Sequence, residues 1–179
     1  YQRVKGKKEF NTVVLLHSLG YSSQWWEDLP NELLKNGYAV LLIDLRGHGE
    51  SVYNKKLVRT SWNNLTNKAF AKYPDDVIKV IEQIKTENTK TQFFNNWAFV
   101  GADIGGSTAI LASQKIKNKP KTIVLMSPVV NTKGLFVPVS LANLNNIDIL
   151  SITGINDNSG QEAEKYLKRF AQSTFAEYT

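Results

Sequence analysis

The sequence predicts an α/β protein, a doubly wound and mainly parallel sheet with helices on both faces. Three observations predict it. Short, uninterrupted apolar runs recur along the chain, as strands buried on both sides require. Segments with helical spacing of apolar residues separate them. Polar or glycine-rich stretches stand where the runs end, on the edge where open parallel sheets gather ligands.

The elements follow in order. Thr12-Val13-Val14-Leu15-Leu16 reads as the first strand and ends in His17-Ser18-Leu19-Gly20. Residues 22–37 read as a helix with Leu29, Leu33 and Leu34 on one face and Gly37 as its stop. Tyr38 to Asp44 is a second buried strand, followed by the loop Arg46-Gly47-His48-Gly49-Glu50-Ser51. Residues 52–72 show no clean period. The segment 74–85 is the clearest helix: Pro74 and two acids open it, and Val77, Val80, Ile81 and Ile84 form one stripe. Residues 97–102 are a third strand, with a helix from 105 to about 117. Residues 122–128 and 147–154 are further strands, and 129–146 is a connection without pattern. The segment from Gln161 to about Ala171 is a helix, and Ser173 to Thr179 reads as the opening of another strand. The 179 residues suit one domain, 1–179, large enough to bury a core.

Composition narrows the classes. An apolar fraction of 42% is globular. No run is long enough to span a membrane and no signal peptide is visible, which leaves the compartment, cytoplasmic or exported, open. With no cysteine there is no disulfide, thiolate metal site or cysteine nucleophile. No cofactor or metal is indicated. The net charge of +6 could attract nucleic acid. The lysines are scattered, however, and their denser runs fall at a terminus and a loop, so a solvated face is the reading and no nucleic-acid partner is expected. A phosphate-binding glycine loop is missing after the first strand, which argues against a nucleotide-binding protein. A small-molecule substrate is expected; the oligomeric state is open.

The stretch around which the chain is organised is Val100-Gly101-Ala102-Asp103-Ile104-Gly105-Gly106-Ser107. Small residues at 101, 102, 105 and 106 let a strand turn sharply into a helix. This is the geometry of a nucleophile elbow, G-x-S-x-G, with an aspartate where the hydroxyl is usual.

With these marks the chain resembles the α/β-hydrolase family over essentially its full length. The carrying motifs are His17-Ser18-Leu19-Gly20, Asp44-x-Arg46-Gly47-His48-Gly49-x-Ser51, the turn at 101–105, and Gly154-x-Asn156-Asp157. Their spacing and order are similar to the smaller, lidless esterase and dienelactone-hydrolase-like members. The resemblance implies a hydrolase, esterase-like, with Asp103 at the nucleophile position and Asp157 at the triad-acid position. It implies an oxyanion hole from the backbone N–H groups of Leu19 and Ile104, aimed where negative charge develops. His17, Ser18, Gly20, Gly101 and Gly105 support these loops.

The remaining candidates have plainer readings. His17 braces the loop after the first strand and His48 stabilises a turn. Asp75 and Asp76 open a helix, Ser107 packs into one, and Trp25, Trp26 and Trp62 are core or rim. Two departures from the family stand out. Relatives that use an aspartate at the tip attack carbon with it and carry a helical cap, for which 129–146 is too short. The family's histidine base follows the acid after one more strand, a place that lies past Thr179, and His17 and His48 sit on other loops. The final strand and histidine loop are therefore expected to be missing. Either the chain is shortened or it is a catalytically inactive homologue that acts as a binding module.

Overall fold

The computed structural model describes residues 9–54 and 56–179. Its centre is a six-stranded parallel sheet in the order β2-β1-β3-β4-β7-β8. The strands are β1 (Glu9–Leu16), β2 (Ala39–Ile43), β3 (Gln92–Ala102), β4 (Thr122–Met126), β7 (Asp148–Ile152) and β8 (Phe175–Tyr178). A separate antiparallel hairpin joins β5 (Asn131–Thr132) to β6 (Leu135–Phe136). The terminal segment, read as the opening of a strand that was otherwise expected to be missing, forms β8, a four-residue strand paired to β7 with Ile149 opposite Phe175.

Alternation along each strand sends side chains to two apolar layers. Val14, Leu16, Leu41, Phe99, Ile123, Leu125 and Ile149 face one layer. It is closed by α3 (Tyr73–Glu87), α4 (Ile104–Lys115), α5 (Pro138–Ala142) and α6 (Asn158–Lys168), which contribute Val77 and Ile81, Ile104 and Ile110, Leu141, and Leu167. Val13, Leu15, Val40 and Ala102 face the other layer, where Trp26 and the α1 (Leu29–Lys35) residues Leu33 and Leu34 pack. Helices on both faces therefore follow from the unbroken apolar runs. Among the described residues no helix is long and apolar enough to cross a membrane, and no cluster of metal-ligating side chains forms.

Three segments differ in detail from the sequence reading. The helix expected over 22–37 is a 3-10 turn at Ser23–Trp26 followed by α1, because Glu27 adopts φ 44° between them. The patternless 52–72 holds a 3-10 turn at Trp62–Asn64 and α2 (Asn67–Phe70), anchored by Phe70, which is fully buried. The connection 129–146 is not bare loop: it forms the β5–β6 hairpin and α5, both packed against α4.

The site is positioned by the order of strands. From β1 the chain steps outward to β2, then crosses back over β1 to β3. The connections after β1 and β3 diverge, which makes the carboxyl ends of these two strands the topological switch point.

Candidate active site

β3 ends at Ala102, and α4 begins two residues later at Ile104. Asp103 alone makes the turn, with φ 49° and ψ −115°. A non-glycine residue there is strained and persists only where its surroundings enforce it. The neighbouring glycines make this possible. A Cβ on Gly105 would lie 2.1 Å from the Leu16 carbonyl oxygen, and one on Gly101 would lie 2.5 Å from the Gly106 nitrogen. The turn is therefore pressed directly against the end of β1. The Asp103 N–H donates to Met126 O at the end of β4, and its carbonyl accepts from Ser107 N–H.

The Asp103 carboxylate reaches across the switch point. Its Oδ2 accepts the Ser18 hydroxyl at 3.0 Å and the Leu19 N–H at 3.2 Å. Asp103 is half-buried, and among the described residues it makes no ion pair. Ile104 opens α4, so its N–H is among those a helix leaves without an intrahelical acceptor.

The loop that carries Ser18 and Leu19 is held from behind by the two histidines. His17 Nε2 accepts the Leu45 N–H at 3.0 Å, and its Nδ1 meets Ser18 O at 2.8 Å. His48 Nε2 accepts the Gly20 N–H at 3.1 Å, and its Nδ1 meets Arg46 O at 3.2 Å. Both rings accept at Nε2, which makes them neutral with the proton on Nδ1. The rings lie 4.8 Å apart, and His48 stacks on Trp62, which also packs against Gly20. Burial lowers the pKa of both; the neighbouring His17 lowers His48 further, while backbone carbonyls and Asp44 oppose the shift. Asp44 ties together the two loops flanking this pair, accepting Ser23 N–H at 2.6 Å and Glu50 N–H at 2.8 Å. Its own pKa is lowered: desolvation alone would raise it, and those backbone donors outweigh desolvation.

Asp157 stands after β7 as the N-cap of α6. Oδ1 accepts Gly160 N–H at 2.9 Å, while Oδ2 is enclosed with no donor in bonding geometry. Its pKa is lowered first by the Gly160 N–H, with the Ser127 hydroxyl adding to it. Asp103 N bonds the end of β4, and Ser127 N bonds Ile152 O at the end of β7, so both acids lie on the same edge with β4 between them.

Among the other candidates, Ser107 is buried in α4, 2% exposed. Asp76 holds Arg46 through both oxygens, and Asp75 pairs with Lys115. Trp26 is core, Trp25 is at the rim beside Tyr21, and Trp62 is the stacking support of His48. Sequence reasoning missed the Ser18 hydroxyl as a partner of Asp103 and Asp44 as a loop tie. The only signal for Asp44 was its place at the head of the Arg46–Ser51 motif.

This arrangement is a strand–turn–helix tip facing a loop of backbone donors at a switch point. Residues 7–157 match the family described as Serine aminopeptidase, S33. The chain belongs to that family of α/β hydrolases. No curated protein matches it. Solved structures share the fold. A lipase-esterase related protein from Clostridium acetobutylicum has a TM-score of 0.72 at 16% identity, covering 99% of this chain and 88% of that one. An esterase from Exiguobacterium antarcticum has 0.70 at 14% identity, with 96% and 84% covered. A monoacylglycerol lipase from Paleococcus ferrophilus has 0.68 at 14% identity, with 99% and 89% covered. The S33 family chain described here thus shares the fold of these esterase and lipase structures, with Asp103 at the tip of the β3–α4 turn.

Proposed function

We propose that the crevice above Asp103 is an esterase-type hydrolase site for a small carbonyl compound, and that Asp103 at the nucleophile elbow leaves it with weak or no turnover in this chain. The observation that carries this reading is the engagement of Asp103 Oδ2 by Ser18 and Leu19. In a working ester hydrolase those donors face the oxygen on which charge develops during acyl transfer. Here a carboxylate oxygen occupies them in the ground state. That arrangement stabilises the resting enzyme and lowers the nucleophilicity of Oδ2. An acyl transfer also needs a base that takes the proton of the attacking group or of water. Both ring nitrogens of His17 and of His48 are already committed to backbone groups. Asp157 is the acid-position residue in this reading, since it stands after β7 on the same sheet edge as Asp103 and its Oδ2 carries no hydrogen bond. The dienelactone-hydrolase-like, lidless subtype fits the short β4–β7 connection, whose hairpin and α5 pack on α4.

The second reading is a binding module that keeps the crevice without chemistry, favoured by the commitment of both histidines. Hydrolysis of p-nitrophenyl acetate decides between activity and its absence. No rate above buffer is expected from the chain. Turnover well above buffer that disappears in Asp103→Ala protein would overturn the proposal.

A further inference from the structure

We propose that this chain carries a second small-molecule site, a cavity between the loop after β2 and α3 that takes an amphiphilic carboxylate. The apolar tail lies on Leu65, Val77 and Val80, and the carboxylate meets the free edge of the Arg46 guanidinium. The site is independent of the reading of the crevice, since none of Ser18, Leu19, Asp103 and Asp157 lines it.

The cavity measures about 1060 Å³, at the upper end of the range of small-molecule sites. Its apolar lining is an open part of the larger core layer: Val77 is fully buried there, and Leu65 and Val80 pack against it half-buried. Head and tail of a ligand have a natural direction along α3. Asp76, which holds Arg46 in place, and Val80 are four residues apart on that helix and therefore lie on one face, one turn from each other. A chain laid along this face passes from the guanidinium to apolar surface.

The polar lining selects the head group. Both Asp44 oxygens accept backbone N–H groups, and both Asp76 oxygens are taken by Arg46. Glu50 is exposed, where water screens its charge. Arg46 uses Nε and Nη2 on Asp76, and among the described residues its Nη1 bonds nothing. Lys56 also lines the cavity and makes no ion pair among them. The groups left over are thus mainly cationic donors. A cationic head would face the guanidinium, and a neutral one would strip water from Nη1 without a full replacement. A carboxylate accepts from Nη1 in a charge-assisted hydrogen bond while its tail covers Val77 and Val80.

Octanoate tests the site, with octylamine and octanol as its cationic and neutral counterparts. Each is titrated into the whole chain while backbone amides are followed by 15N-resolved NMR. The expected result is a saturable shift of the Val77 and Val80 amides with octanoate, and binding at least tenfold weaker for the other two. Arg46→Met combined with Asp76→Asn removes the donor without leaving an unpaired charge. It should weaken octanoate by about tenfold and leave octanol unchanged. Val80→Trp fills the tail space and should abolish octanoate binding, with Val80→Phe made in parallel should the larger ring fold poorly. No saturable shift with octanoate, octylamine or octanol binding within twofold of it, or octanoate affinity within twofold in the Arg46→Met, Asp76→Asn protein overturns the proposal. Shifts confined to the Leu19 and Ile104 amides would place octanoate in the crevice and overturn it equally, while leaving the hydrolase reading in place.

Discussion

The backbone N–H of Gly20 donates to His48 Nε2 over 3.1 Å, so the loop carrying Leu19 is latched by an imidazole that must stay neutral. His17 does the same for Leu45 at 3.0 Å. A protonated ring has no lone pair to offer, and each latch then becomes a repulsive N–H to N–H contact.

The pH dependence follows with a definite sign. Both histidines are almost completely covered, and burial places their folded pKa below the unfolded 6.5. Between the two values the unfolded chain binds more protons, so stability is full above about pH 6.5 and falls as the pH drops below it. The groups facing the pair act in both directions. Burial disfavours the charged form of both rings and the neighbouring His17 disfavours charge on His48, while Asp44 and the backbone groups bonded to the rings favour it. Each histidine contributes a slope of up to about 1.4 kcal/mol per pH unit in its window. Urea midpoints measured at pH 7.5, 6 and 5 should decline steadily. Equal midpoints at pH 7.5 and 5 would show that the rings are not held neutral.

What the sequence disclosed and what it hid follow a physical division. The strands were legible because Val13 to Leu16, Leu41 to Ile43 and Ile123 to Leu125 are unbroken apolar runs, buried on one side and at least partly buried on the other, and such runs have few other uses. The turn at Asp103 was legible because Gly101 and Gly105 stand where backbone meets backbone. The break between the Ser23–Trp26 turn and α1 was not, since Glu27 takes its positive φ without a glycine to announce it. The contact between Ser18 and Asp103 was hidden for another reason. Ser18 and Asp103 are 85 residues apart, and only the crossover that puts β1 beside β3 brings them into contact.

The turn itself yields a stability prediction. Gly105→Ala would set a Cβ 2.1 Å from Leu16 O, backbone against backbone, with no flexible side chain to yield. Its expected cost is at least about 3 kcal/mol, or failure to fold. Gly106→Ala meets its nearest atoms, Gly101 O and Leu125 Cδ2, only at 3.1 and 3.2 Å and should cost clearly less. Urea denaturation of both variants checks the order. Equal losses would mean that α4 is not pinned to β1 at this point.

The Arg46–Asp76 pair gives a smaller effect. The guanidinium meets both carboxylate oxygens at 2.6 to 2.9 Å, yet the side chains remain 41% and 30% exposed. Solvent screening limits such a pair to about 0.5–1 kcal/mol of coupling. A double-mutant cycle with Arg46→Met and Asp76→Asn should return that value at low salt and less at 1 M NaCl. Coupling above about 2 kcal/mol would mean that the pair is more deeply desolvated than its exposure indicates.

Asp157 caps α6, and the acid position proposed for it would make a different demand on its atoms. As a cap it needs one oxygen on Gly160 N–H, which an amide oxygen can supply equally well. Asp157→Ala should therefore cost about 1 kcal/mol, and Asp157→Asn only a few tenths. The cap also has a pH signature. Its folded pKa is lowered below the unfolded 3.8, so the contribution is present above that pH and lost as pH falls through the folded value. The stability gap between wild type and Asp157→Ala should be constant from pH 5 to 7 and narrow below about pH 4. As an acid that orients a base, by contrast, Asp157 would need its charge and its enclosed Oδ2. Asp157→Asn would then keep its stability and lose that function. If Asp157→Asn proves as unstable as Asp157→Ala, the Oδ1–Gly160 bond is not what α6 depends on, and the carboxylate's charge must be holding the helix start instead.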